Sequence, residues 1–104
     1  MSLTFELKTS KDNQFYFNLV ENGKVLVKSE MYTQKRSCEN GIESVQKNCG
    51  EDKRYEHKTA SNGKKYFNLK ASNGQVIATS MMFDDIDAVV KSCKKAAKAK
   101  TVEA

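Results

Sequence analysis

Apolar and polar positions alternate along Thr4–Ser10, the period of a half-buried strand. Phe15–Val20 reads as a second strand and Lys24–Ser29 as a third. Between the last two, Asn22-Gly23 signals a tight hairpin, because glycine accepts the positive φ that such a turn needs. From Thr33 to Cys49 the period changes: Ser37, Cys38, Gly41, Ile42, Val45 and Cys49 follow the i, i+3, i+4 spacing of one buried helical stripe. Three strands and a helix are therefore predicted, with Thr33 as the helix N-cap.

The pattern then starts again. Phe5-Glu6-Leu7-Lys8-Thr9 matches Tyr55-Glu56-His57-Lys58-Thr59, and Tyr16-Phe17-Asn18-Leu19 matches Tyr66-Phe67-Asn68-Leu69, both at an offset of 50. One extra residue in the second copy makes the offset 51, so that Asn22-Gly23 meets Asn73-Gly74, Ser29 meets Ser80, and Met31-Tyr32 meets Met82-Phe83. Turns are predicted at Asn62-Gly63 and Asn73-Gly74. A second helix is predicted over Asp84–Lys100, with Asp84 as its N-cap and a stripe of Ile86, Val89, Val90, Cys93, Ala96 and Ala97. Acids crowd its start and lysines its end, which complements the helix dipole. Asn40-Gly41 looks like a helix breaker, but Gly41 aligns with Ser92, small in both copies. One continuous helix with a close-packing point there is expected, and a kink is the alternative.

Length decides how the copies relate. A unit of about 50 residues leaves too much surface exposed to stand alone. The expectation is one domain over residues 1–104, made of two repeats at about 3–52 and 53–104 that share a core, or else a dimer. A hydrophobic content of 38% with 30% charged residues fits an ordinary globular protein. No apolar run approaches the length of a membrane span, and Met1-Ser2-Leu3-Thr4-Phe5-Glu6 lacks the basic and apolar regions of a signal peptide. The expected location is cytoplasmic, with no membrane contact.

Several motifs taken together resemble a known family. Tyr-Phe-Asn-Leu at 16–19 and 66–69, the Asn22-Gly23 hairpin, Ser-Glu-Met-Tyr at 29–32 and Gly-Ile-Glu-Ser-Val-Gln-Lys-Asn at 41–48 are similar to those of the tandem-repeat bacterial proteins called YegP-like. The resemblance covers nearly the whole chain. It implies an α+β fold of two tandem β3-α-β repeats forming one antiparallel sheet with two helices packed on one face. It also implies that trailing strands are exchanged between the copies. These would be near Lys53–Glu56, running on into the next strand, and at Thr101–Val102–Glu103. The second copy departs from the family pattern at Met81-Met82-Phe83-Asp84-Asp85 and at Ser92-Cys93. No activity and no site residues come with the resemblance.

Candidate chemistry is sparse. Cys38, Cys49 and Cys93 cannot all pair with one another, and Cys38 and Cys49 lie too far apart along one helix to bridge. Cys38 aligns with Val89 and Cys93 with Ile42, so the repeat puts these thiols at aliphatic, buried positions. The lone His57 aligns with Leu7 on a strand, so no catalytic thiol–imidazole pair is indicated. Clustered metal ligands and a glycine-rich phosphate loop are both missing, so no metal and no cofactor is expected, and the chain reads as no enzyme.

What remains is a surface. If Phe17, Leu19, Phe67 and Leu69 face the helices, then Tyr16, Asn18, Tyr66 and Asn68 face away. Lys8 and Lys58 should join them, with Glu6, Glu56, Leu26 and Ile77. Such a face suits a small non-enzymatic binding or interaction module of unknown ligand; plain cross-strand pairing is the competing account. Charge adds an alternative. Residues 1–52 carry 7 basic and 8 acidic side chains, net −1, whereas residues 53–104 carry 11 and 5, net +6. Nucleic-acid binding through the outer sheet face and the basic second half, or an acidic protein partner, would use that excess; a solvated helix face is the preferred account, because the charge is spread in the way helices prefer. A monomer or weak dimer is expected.

Overall fold

A computed structural model describes residues 3–103; Met1 and Ser2 of the opening segment lie outside the described residues. The strands are β1 (Leu3–Thr9), β2 (Phe15–Glu21), β3 (Lys24–Ser29), β4 (Tyr55–Thr59), β5 (Lys65–Lys70), β6 (Val76–Ser80) and β7 (Lys100–Glu103). The helices are α1 (Lys35–Asn48) and α2 (Ile86–Cys93). All seven strands form one sheet in the order β4-β5-β6-β3-β2-β1-β7. Each copy contributes three antiparallel strands, and β3 meets β6 antiparallel at the seam through Val27↔Ser80, Lys28↔Thr79 and Ser29↔Ala78.

The exchange of trailing strands is present. The strand after α1 is β4, which pairs with β5 of the second copy, and the strand after α2 is β7, which returns to β1. Lys53 and Arg54 belong to a 3-10 turn, Asp52–Arg54, so that strand begins at Tyr55. The β1–β7 pair runs parallel, and every other pair is antiparallel.

Turn chemistry follows the residues. Asn22 and Gly23 both have positive φ, 51° and 84°, which closes the two-residue β2–β3 loop. The extra residue of the second copy converts the matching loop to three residues: Ala71 N–H donates to Gln75 O, and Gly74, at φ 85°, N–H donates to Ala71 O. Ser29 and Ser80 repeat one local device. Each hydroxyl accepts from the backbone N–H of a core phenylalanine, Phe17 or Phe67, at 2.9 Å and donates to the next carbonyl at 2.8 Å.

Both helices cover the same face of the sheet. Phe5, Phe17, Phe67, Leu19, Leu69 and Val27 pack there with Cys38, Ile42 and Val45 of α1 and Val89, Val90 and Cys93 of α2 in one core. α1 is unbroken through Gly41.

Three expectations are corrected. The N-caps are Gln34 and Asp85, not Thr33 and Asp84, because Phe15 bridges Tyr32 and Lys65 bridges Phe83, holding the chain extended beside the sheet a little longer. Asp85 accepts from Ala88 N–H, whereas Gln34 makes no side-chain cap. The second helix ends at Cys93; Lys94–Lys98 tighten into a 3-10 turn so that Lys100 can enter the sheet beside β1. Leu26 and Ile77 lie in the core rather than on the outer face. A register shift opposite Leu19/Val20 and Leu69/Lys70 makes each the extra residue of a β-bulge, which turns its side chain to the helix side.

Candidate binding face of the sheet

Alternation puts Tyr16, Asn18, Lys8, Tyr66, Asn68 and Lys58 on the face opposite the helices, since their neighbours Leu7, Phe17, Leu19, Phe67 and Leu69 are in the core. Strand register then lines up one transverse row on that face. It runs Glu56, Asn68, Thr79, Lys28, Asn18, Glu6 and ends at Val102. A second, shorter relation pairs Lys58 with Tyr66 and Lys8 with Tyr16.

In the second copy the row is hydrogen-bonded. Thr79 Oγ1 donates to Asn68 Oδ1 at 2.8 Å, and Asn68 Nδ2 donates to Glu56 Oε1 at 3.2 Å. Lys70 Nζ reaches Glu56 Oε2 at 3.1 Å, and Lys58 stands 3.8 Å from Glu56 Oε1. Hydrogen bonds from Asn68 and then Lys70 hold the Glu56 carboxyl below its ordinary range.

The first copy differs at two positions, and Val20 replaces Lys70 at one of them. Lys28 stands where the second copy has Thr79, and its ammonium lies 5.1 Å from the centroid of Tyr16. Asn18 is buried, and its Oδ1 has no hydrogen-bond partner. Lys8 pairs with Glu6 at 3.6 Å. All six expected residues thus share one face. Lys28, Thr79 and Lys70 complete it and were missed: Lys70 continues the alternation of Tyr66 and Asn68, whereas Lys28 comes opposite Thr79 only through the β3–β6 seam that joins the two copies.

Four lysines of the basic half lie elsewhere. Lys91, Lys94, Lys95 and Lys98 sit on α2 and the 3-10 turn after it, in the helical layer, on the other side of the sheet from Tyr16 and Tyr66. Lys94 pairs with Asp52 and Lys35 with Glu103.

Two clefts flank α2. One of about 490 Å³ is lined by Asp52, His57, Asp85, Asp87, Lys91 and Lys94 among others, and one of about 450 Å³ by Glu21, Lys24, Met82 and Phe83 among others. His57 borders the first, and no cysteine borders either. All three thiols are free and buried. Burial, with Glu39 nearby, pushes Cys38 up to about 11, and burial pushes Cys93 up to about 12. Among the described residues no three His, Cys, Asp or Glu side chains gather as a metal site, and no helix is long and apolar enough to cross a membrane.

Comparison with known proteins places the chain among relatives. The family model described as a domain of unknown function, DUF1508, matches twice, at residues 10–56 and 60–103. The UPF0339 protein YegP of Escherichia coli is 56% identical over 80 residues, 76% of this chain and 73% of that one. A UPF0339 protein of Pseudomonas aeruginosa is 46% identical over 100 residues, 92% of this chain and 91% of its own. The solution structure of a UPF0339 protein from Shewanella oneidensis superposes with a TM-score of 0.91 at 42% identity, covering 99% of this chain and 92% of the other.

Proposed function

The chain belongs to the DUF1508 family, and from that premise we propose that it is a small non-enzymatic binding module whose ligand lies on the open face of the sheet. One observation carries the reading. The helix-free face repeats its Tyr, Asn, Glu and Lys positions on β1, β2, β4 and β5 in both copies, yet the buried Asn18 side-chain oxygen is unsatisfied where that of its mate Asn68 accepts from Thr79. Buried acceptors without donors are rare and costly. A ligand donor that engages Asn18 would relieve that cost, with Tyr16 and Lys28 beside it. The non-enzymatic part of the reading is supported by the deep burial of the three thiols, none of which borders either cleft beside α2. The same reading takes the two repeats as one folding unit, because one core draws on both, and the cytoplasm as its compartment, because free thiols suit a reducing environment.

Single-stranded nucleic acid is the ligand class favoured by a specific feature. Tyr16 and Tyr66 are half-buried rings on which bases could stack, with Lys8, Lys28, Lys58 and Lys70 around them. The lysines of the helical layer could not join the same contact. An amide-resolved NMR titration with a mixed-sequence single-stranded oligonucleotide at low salt tests both parts. Shifts at Tyr16, Asn18, Tyr66 and Asn68 that vanish with added salt support nucleic acid. No shift on this face sinks the nucleic-acid reading. An Asn18→Leu variant that no longer shifts with whole-cell metabolite extract, while wild type does, supports a different ligand on the same face. No response to either sinks the sheet-face reading.

A further inference from the structure

The two halves of the sheet are not equally closed. β1 and β4 are repeat mates, and each pairs antiparallel with the strand that follows it. β1 is covered on its other side by β7, whereas β4 ends the sheet with that edge open. The consequence is visible in one matched pair: Leu7 is buried, and His57 at the same position is exposed. An open strand edge is a row of unpaired backbone donors and acceptors, a template for another strand.

We propose that the free edge of β4 pairs antiparallel with β4 of a second copy of this chain, centred on His57, to form a weak symmetric dimer. A two-fold axis through the sheet keeps both helical layers on one side only if residues of equal parity stand opposite each other. Three central registers meet that condition. Centring on Glu56 sets that carboxylate against itself, and centring on Lys58 sets two ammonium groups together. Centring on His57 puts Glu56 opposite Lys58 of the partner subunit, and the symmetry makes that pair twice. Tyr55 then faces Thr59 of the partner subunit, and all five residues of β4 take part. Opposite charges directly across an antiparallel pair stabilise it, and like charges oppose it.

The competing occupant is a parallel strand of the β7 type. In the register β7 uses on β1, Lys100 stands beside Thr4. On β4 the same lysine would meet Arg54, two like charges, and the donor would have to leave its own β1. The antiparallel partner has neither difficulty. A five-residue contact is small, so association belongs to the transient class. The inference shares Glu56 and Lys58 with the sheet-face reading but needs no ligand, so self-association and ligand shifts test the two separately.

Sedimentation velocity on the full chain at low salt, from micromolar to millimolar protein, is the test. The average mass should rise with concentration, and β4 amides should gain exchange protection in step. Lys58→Gln should weaken association, and Lys58→Glu should weaken it further, by about tenfold. The double reversal Glu56→Lys with Lys58→Glu should restore it. Each variant is first checked for a native amide spectrum; if the double reversal fails that check, the order wild type, K58Q, K58E still decides. A monomer at every concentration overturns the proposal, as does a dimer indifferent to residue 58. Binding of a peptide with the sequence of residues 99–104 to β4, without self-association, overturns it in favour of a parallel strand.

Discussion

The hydroxyl of Tyr32 occupies the space where a side chain on Gly41 would begin: a Cβ there would lie 2.5 Å from Tyr32 Oη and 3.1 Å from the Phe17 ring. The second copy solves the same contact the other way round. Phe83 replaces Tyr32 and lacks the hydroxyl, and Ser92 replaces Gly41 and carries a Cβ. Ser92 Oγ then donates to Glu21 Oε1 at 3.2 Å. One volume is shared between ring and helix, and each copy divides it differently.

Gly41→Ala should therefore destabilise the protein by about 1–2 kcal/mol, although alanine is the better helix former by about 1 kcal/mol. Tyr32→Phe should recover most of that loss in the double variant, because it removes the atom in the way. Urea unfolding of the two single variants and the double gives the coupling directly. A Gly41→Ala protein as stable as wild type, or a double variant no better than the single, refutes the shared-volume account.

A second difference between the copies is electrostatic. Thr79 satisfies Asn68 Oδ1, whereas Lys28, turned over Tyr16, leaves Asn18 Oδ1 bare. Lys28→Thr should install the missing donor and stabilise the protein by about 0.5–1 kcal/mol, after the lost ring–cation contact is subtracted. Thr79→Val should cost about 1 kcal/mol by creating the same orphan in the second copy. Equal stability of Lys28→Thr and wild type in chemical denaturation would count against the missing-donor account.

Much of this architecture was legible in the residues. Tyr-x-Asn at 16–18 and 66–68, the Asn-Gly turns and the helical stripes fixed the element types and faces. The repeat assigned Cys38, Cys93 and Gly41 to packing. What was not legible depends on contacts between elements. The bulges that turn Leu26 and Ile77 inward arise from register against β2 and β5. The helix starts move past Thr33 and Asp84 because Tyr32 and Phe83 are held by bridges to distant strands. The row from Glu56 to Glu6 exists only once the two copies meet at Lys28 and Thr79.

Acid should loosen the second copy's half of the face. Hydrogen bonds from Asn68 and Lys70 favour the ionised Glu56, so its folded pKa lies below the ordinary 4.5. Such a group adds stability above its unfolded pKa, and that stability is lost as pH falls through the folded value. The expected result is a decline below about pH 4.5 that is shallower in Glu56→Gln, with Asn68 side-chain amide signals shifting over the same range. An unchanged slope in Glu56→Gln assigns the acid sensitivity to other carboxylates.

Alkali should act through the core. Tyr55 Oη donates to Cys49 O at 2.6 Å, and Cys93 neighbours the same ring, so the two helix ends close over buried neutral thiols. Burial raises Cys49 as well as Cys38 and Cys93 above the ordinary value of 9. The unfolded chain then loses thiol protons from about pH 9, while the folded chain keeps them until about 11 for Cys38 and 12 for Cys93. Stability should accordingly be intact below pH 9 and fall between those limits. Replacing Cys38 and Cys93 by valine, an aliphatic like the repeat mates Val89 and Ile42, should flatten that fall while preserving the fold. In native buffer a thiol reagent should label none of Cys38, Cys49 and Cys93 faster than the protein opens, and all of them in denaturant. Fast labelling of Cys38 or Cys93 in the folded protein would show that the helical layer opens locally, and would return those thiols to the list of groups available for chemistry.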